Sequence, residues 1–398
     1  MKDRITIGLF IDTFFPMIDG VCMVVDSYAK RLLKYGDVIV FAPEFPGQKY
    51  DDSKFEYKVV RCKSFKLPII DYAVPIPKMD SNFKKILNSY DFDIVHIHSP
   101  FAVGKIGVDY AKKKNIPVIA TMHSQYKKEF LKAAKFNWIA NLLTKMIIKQ
   151  YNRCDECWAV NSKVANIFYK DYHYKENPKV MNNATDMLPV KNKKEAFDII
   201  NKKHNIKEDE KVFLFVGRIS QIKNIFFTVK SLGILKELDP SLKFKMLFVG
   251  TGQDEDKLKV LVKDNNLEDN VIFCGRVADR ETLAMYYSRA DLFLFPSLND
   301  ASSLVQIEAA AQNTPSLFLE GSATTDTIEN NRNGFIIKND EKEYAKAIIE
   351  IIKNKELYNE VSENCFKDLY INWDTQIENI FNNYKDLIKK KRRWNYER

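Results

Sequence analysis

Short apolar runs alternate along the whole chain with longer stretches in which apolar residues recur every three or four positions. Runs of this length read as strands buried on both faces, and the 3.6-residue period between them reads as covering helices. In the first half this pattern predicts strands over Ile5–Ile11, Asp37–Ala42, Tyr57–Cys62, Asp93–Ile97, Pro117–Thr121, Glu156–Val160 and Lys179–Met181. In the second half it predicts Val212–Val216, Phe244–Val249, Val271–Cys274, Leu292–Phe295, Ser316–Phe318 and Phe335–Ile337. The polar stretch Pro189–Glu195 separates the two series and reads as a linker, which gives a first domain over 1–190 and a second over 191–372. A terminal helix from Trp373 to Lys390, with a basic tail to 398, is expected to return to the first domain. The fold class is α/β, two doubly wound Rossmann-like domains facing across a cleft. Open parallel sheets take ligands at the C-terminal ends of their strands, so a site shared by both domains is expected there.

Length changes this picture little: 398 residues exceed what one core supports, and 45% hydrophobic content supplies material for two. No apolar run is long enough to span a bilayer, and Met1-Lys-Asp-Arg4 leads straight into a strand, so no signal peptide and a cytoplasmic location are expected. Cysteines at 22, 62, 154, 157, 274 and 365 form no disulfide framework. Cys154 and Cys157 lack the second pair that a zinc ribbon needs, so they read as structural, and no metal site is expected.

The formal charge of +9 is compatible with nucleic acid, anionic lipid or an anionic small substrate. No recognition motif for nucleic acid is present. The segment 126–153 interleaves Lys128, Lys132, Lys135, Lys145 and Lys149 with Phe130, Ala134, Trp138, Ile139, Leu142, Leu143, Met146 and Ile147 at helical spacing. It reads as a basic amphipathic helix or helix pair, either lying on an acidic membrane or forming an ordinary domain helix with a solvated Lys face. The cluster Lys389-Lys-Lys-Arg-Arg393, with Trp394 and Tyr396, is a second candidate for peripheral contact, over 389–396.

The chemistry concentrates after the run Asp291–Pro296, in Pro296-Ser-Leu-Asn-Asp-Ala-Ser-Ser-Leu-Val-Gln-Ile-Glu308. Ser303 and Gln306 form a capping-box pattern, so a helix is expected to begin at Leu304. Its first amides, at Leu304, Val305 and Gln306, would present a partial positive charge suited to phosphate. Asp300 and Glu308 flank that end, and carboxylates accept hydrogen bonds from vicinal hydroxyls, so the group suits a sugar nucleotide. Val216-Gly-Arg-Ile-Ser-Gln-Ile-Lys-Asn224 follows another strand and supplies Gly217 with two cations, Arg218 and Lys223, able to reach one diphosphate. Phe248-Val-Gly-Thr-Gly252 and Phe273-Cys-Gly-Arg-Val277 end two more strands, and the second can offer backbone hydrogen bonds to a base near Val277.

In this order the motifs resemble the retaining glycosyltransferases of family 4, which have the two-domain GT-B fold, over nearly the full length. The variant Asp300–Ala309 looks similar to bacterial cell-surface glycan and glycolipid transferases. The resemblance makes Phe14-Phe-Pro-Met-Ile-Asp-Gly-Val21 the glycine loop, in which Gly20 lets the backbone approach the donor. It makes His96, His98 and His123 strand-end histidines, with His123 facing the donor sugar. Arg218, Lys223, Asp300 and Glu308 match the diphosphate and Glu-x7-Glu positions, and Trp373 fits the closing helix. Three departures stand out: Asp300 replaces the usual Glu, Ser302-Ser303 the usual Phe-Gly, and Asn183-Ala-Thr-Asp186 the common Asn-Gly-x-Asp turn.

The resemblance implies transfer of a hexosyl unit, with retention, from a nucleoside diphosphate sugar, UDP-hexose being the expected donor, to a hydroxyl of a lipid or lipid-linked glycan in cell-envelope glycan synthesis. No cofactor and no metal are expected: Arg218, Lys223 and the helix start at Leu304 would neutralise the leaving diphosphate, with Ser302, Ser303 and Val305 lining it. Glu308 would hold ribose, and Asp300 and His123 the transferred sugar. The other readings are a non-catalytic GT-B scaffold, or a GT-B epimerase or phosphorylase.

Overall fold

A computed structural model describes residues 4–17, 19–66 and 73–396. Met1, Lys2, Asp3 and Ile18 lie outside the described residues, as do the side chains of Lys132, Ala134 and Tyr396. The chain divides into two compact units, Met1–Asn183 with Trp373–Arg398, and Ala184–Asn372.

The first unit contains β1 (Ile5–Phe10), β2 (Gly36–Pro43), β3 (Lys58–Cys62), β4 (Ser64–Lys66), β5 (Ala73–Pro75), β6 (Ile94–Ile97), β7 (Val118–Met122), β8 (Glu156–Ala159) and β9 (Lys179–Val180). Seven of these form one sheet in the order β3-β2-β1-β6-β7-β8-β9. All its pairings are parallel, with Ile7 opposite both Val38 and Ile94. Every strand expected in this half is present. The antiparallel pair of β4 with β5 was not expected, because three-residue strands are too short to show an alternation.

The closing helix runs over Trp373–Tyr396, longer than expected, and packs on this first sheet. Asp374 pairs with Arg31 at 2.8 Å, Phe381 stacks on Tyr35 at 4.0 Å, and Tyr384 reaches the histidine cluster described below. Two cations of its basic end are tied to the fold, Lys391 with Asp155 at 2.9 Å and Arg392 with Asp93 at 2.7 Å, while Lys389, Lys390 and Arg393 are exposed. Helical continuation turns those two cations back toward the residues just before β6 and β8.

The second unit contains β10 (Lys211–Val216), β11 (Phe244–Val249), β12 (Val271–Gly275), β13 (Leu292–Phe295), β14 (Ser316–Leu319) and β15 (Phe335–Ile337). They form a six-stranded parallel sheet in the order β12-β11-β10-β13-β14-β15. Val212 through Val216 are all buried, as are Leu292 through Phe295, which is why these strands read as unbroken apolar runs. The division after Asn183 precedes the boundary expected at 190. The cause lies in the segment 187–190: Met187 joins the second core, and Gln312 accepts from Val190 N–H at 2.9 Å while donating to Leu188 C=O at 2.8 Å. Only a long-range side-chain clamp distinguishes this strap from a linker.

Candidate active site

Each sheet has one place where the winding reverses, and there the loops leaving two neighbouring strands diverge to leave a crevice. In the first unit the reversal lies between β1 and β6, in the second between β10 and β13.

At the first reversal, Asp12, two residues beyond β1, caps the neighbouring helix Ala102–Lys114, accepting from Val103 N–H at 2.6 Å, Gly104 N–H at 3.2 Å and Ser99 Oγ–H at 2.7 Å. Desolvation lifts its carboxyl above the ordinary range against those hydrogen bonds. Gly20 opens the helix Gly20–Leu32, whose Asp19 cap accepts from Cys22 N–H at 2.8 Å. A Cβ on Gly20 would meet nothing within 4 Å, so the packing of the fold does not by itself demand glycine there.

Beside this loop three imidazoles stack, His96 on His98 at 4.1 Å and His98 on His123 at 5.3 Å. His96 is held on both nitrogens, by Tyr384 OH at 2.6 Å and Thr121 Oγ1 at 2.7 Å. His98 Nδ1 and His123 Nε2 share one hydrogen bond of 3.1 Å, while His98 Nε2 is buried with no partner. Burial pushes His96 and His98 well below the usual imidazole range and His123 down to about 3, so the stack is uncharged at neutral pH.

At the second reversal, side chains tie the loop after β10 to the loop after β13. Asn224, in the left-handed conformation at φ 59°, donates to Pro296 C=O at 3.2 Å, and Asn299 donates to Ile222 C=O at 2.9 Å. Lys223 Nζ lies 2.5 Å from Asp300 Oδ1. Two residues assigned separate tasks, diphosphate for Lys223 and sugar for Asp300, are therefore paired with each other. Arg218, beside Gly217, is exposed and takes no hydrogen bond or ion pair from the described residues. The weak glycine signal at 248–252 also gains a cause: a Cβ on Gly250 would sit 1.9 Å from Gly217 C=O, so glycine lets these two strand ends approach. Gly250 N–H donates to Gly275 C=O at 2.8 Å, and Val277 packs its side chain on the core.

The helix Leu304–Ala311 begins where expected, but not through a capping box. Ser303 makes no side-chain cap bond, and Gln306 donates instead to Thr327 Oγ1 at 3.3 Å. Thr327 ends the short 3-10 helix Ala323–Thr327, which local spacing does not reveal. Ser302, Leu304 and Val305 are half-buried, Ser303 is buried, and no acid lies in the first turn, so the helix end keeps its partial positive charge.

Glu308 is 6% exposed, and both its oxygens are engaged: Oε1 by Arg280 at 2.8 Å and Oε2 by Tyr287 OH at 3.0 Å. Arg280 also donates to Asp186 Oδ1 at 2.7 Å and Thr185 Oγ1 at 3.4 Å. Sequence reasoning missed Arg280 and Tyr287. Their spacing of two helical turns was the available signal, since it places both on one face of the helix Arg280–Arg289.

The structure thus groups Gly217, Arg218, Lys223, Val277, Asp300, Ser302, Ser303, Leu304, Val305 and Glu308 in the second unit, and Gly20 and His123 in the first. The family profile described as glycosyl transferases group 1 matches residues 196–368, and that described as Glycosyltransferase Family 4 matches 18–187. The chain belongs to the glycosyltransferases of this family-4 type. It is similar to the alpha-monoglucosyldiacylglycerol synthase of Streptococcus pneumoniae, 28% identical over 314 residues covering 78% of this chain and 70% of the relative. The synthase of the same name from Acholeplasma laidlawii is 24% identical over 369 residues, covering 90% and 91%. Among solved structures, Anabaena HepE in complex with UDP and glucose superposes with a TM-score of 0.76 at 15% identity, covering 96% of this chain and all of that one, which establishes the GT-B fold.

Proposed function

We propose that this glycosyltransferase moves a hexosyl unit from UDP-hexose to a hydroxyl of a lipid or lipid-linked glycan, with retention of configuration. The observation carrying this reading is the second reversal, where an unpaired cation, a Lys–Asp pair and a helix N-terminus adjoin the ends of β10 and β13. Arg218 and Lys223 are cations placed to neutralise a departing diphosphate, and the dipole of the helix at Leu304 adds to them. Entry of a donor would free Lys223 for phosphate and Asp300 for the sugar hydroxyls. Glu308 keeps lone pairs beyond those used by Arg280 and Tyr287, and these suit ribose hydroxyls. Gly20 and His123 keep the roles that the resemblance gives them. The departing phosphate would accept the acceptor's proton on the same face of the sugar, which preserves the anomeric configuration.

The lipid acceptor is supported by the two synthases and by the helix Asn137–Tyr151. Its two faces differ. Ala140, Thr144, Ile147 and Ile148 face the core, whereas Trp138, Leu142 and Met146 are 67%, 52% and 61% exposed, with Lys145 and Lys149 alongside. An apolar stripe flanked by lysines suits the interface of an anionic bilayer, and we propose peripheral association through it. Among the described residues no helix is long and apolar enough to cross a membrane.

The test is UDP release from a panel of nucleotide sugars, each with and without a membrane lipid extract, followed by the anomeric configuration of the product. Lipid-dependent release from one UDP-hexose and an α-linked product from an α-linked donor are expected. Binding without turnover would favour a scaffold. Flotation with anionic vesicles, expected to fall about tenfold in Trp138→Glu at unchanged melting temperature, tests the membrane contact separately.

A further inference from the structure

The clamp on Glu308 has a construction that the family resemblance does not require. Arg280 and Tyr287 stand two turns apart on one face of the helix Arg280–Arg289, and each takes a different oxygen of the same carboxylate. A carboxylate held at one oxygen can still turn about its last bond, whereas two donors on separate oxygens fix its plane. Arg280 is itself fixed from the other side, since its second terminal nitrogen donates to Asp186 Oδ1 at 2.7 Å and to Thr185 Oγ1 at 3.4 Å. Tyr287 is fully buried, so its hydroxyl has no solvent with which to exchange partners. The Arg280 side chain is 36% exposed and that of Glu308 8%, so the pair lies at the boundary between core and surface, where a ligand hydroxyl can reach the carboxylate.

We infer that Arg280 and Tyr287 are positioning residues that hold the Glu308 carboxylate in the plane needed to accept both hydroxyls of a ribose, and so set selectivity for ribonucleotides. This rests on the proposed role of Glu308. Each oxygen spends one acceptor direction on the clamp and keeps one for the sugar. Without Arg280 the carboxylate would swing, and discrimination between a vicinal diol and a single hydroxyl would fall even where the rest of the nucleotide still binds. Asp186 is then the anchor of the anchor, which gives the Asn183-Ala-Thr-Asp186 turn a task its sequence did not disclose.

The experiment is calorimetric binding of UDP and of 2′-deoxy-UDP to the full chain, its Arg280→Met, Arg280→Lys, Tyr287→Phe and Glu308→Gln variants, and the Arg280→Met/Glu308→Gln double variant, with melting temperatures alongside. Wild type is expected to prefer UDP by about tenfold or more, the worth of one charge-assisted hydrogen bond. Arg280→Met is expected to bring that ratio close to one, as Glu308→Gln does, with no further loss in the double variant. Arg280→Lys is expected to keep part of the preference, because one ammonium can still pair with Glu308, and Tyr287→Phe to lose part of it. If Arg280→Met weakens both nucleotides equally, or keeps the wild-type ratio while Glu308→Gln abolishes it, the positioning role is overturned. If Glu308→Gln itself leaves the ratio unchanged, the ribose assignment of Glu308 has failed, and the inference fails with it for that separate and identifiable reason.

Discussion

The two sheets are wound alike and reverse alike, yet the polar groups around their reversals differ. The first unit places there a stack of three desolvated imidazoles held by Tyr384, Thr121 and one another. The second places there ion pairs, Lys223 with Asp300 and Arg280 with Glu308. The difference teaches what each half can contribute. On the proposed function, an uncharged stack would orient hydroxyls without attracting or repelling a diphosphate, whereas paired charges would exchange partners when an anion arrives.

The largest expected effect breaks the comparison on the charged side. Arg218→Ala should lower turnover at least about a hundredfold, the scale for removing one electrostatic contact to a developing anion, with little change in melting temperature because Arg218 is exposed and unpaired in the fold. Steady-state UDP release and thermal melting check both parts. Tyr384→Phe breaks it on the neutral side. It leaves His96 Nδ1 buried without its partner and should cost about 2 kcal/mol in denaturant unfolding, with UDP affinity unchanged.

Acid sharpens the contrast further. His123 titrates near 3 in the fold and near 6.5 unfolded, so the unfolded chain binds the extra proton. Its stabilising share is complete above about pH 6.5 and is lost as pH falls toward 3, at about 1.4 kcal/mol per pH unit. His96 and His98 act in the same direction. Denaturant unfolding between about pH 6 and 5 should show the summed slope of the three histidines in wild type, and His123→Gln should flatten it by one histidine's worth. The smallest effect is expected at Ser303→Ala: since its hydroxyl caps nothing, stability should change by less than about 0.5 kcal/mol, whereas Asn192→Ala, which removes a real cap bond to Glu195 N–H, should cost about 1 kcal/mol.

These contrasts also separate what was legible from what was not. Each expected strand of both sheets appears, because a strand covered on both faces must be apolar at every position, and that signature is local. The start of the helix at Leu304 was legible too, although its stated reason was not: the pattern Ser303 to Gln306 permits a capping box, but Ser303 makes no side-chain cap bond and Gln306 Nε2 donates to Thr327. Arg280 and Tyr287 escaped notice because each looks ordinary alone and acquires meaning only when Glu308 is brought between them. The pairing of Lys391 and Arg392 was hidden for a similar reason, since Asp155 and Asp93 lie far away in sequence.

The sequence by itself determined the two parallel sheets, the family-4 type and the residue kinds at the strand ends, because hydrophobic period and motif order are properties of neighbouring positions. Only the tertiary structure decided which charges are paired, which imidazoles are desolvated, and where the first unit ends. Those depend on side chains that the fold brings together from distant positions, and on how much water it leaves between them.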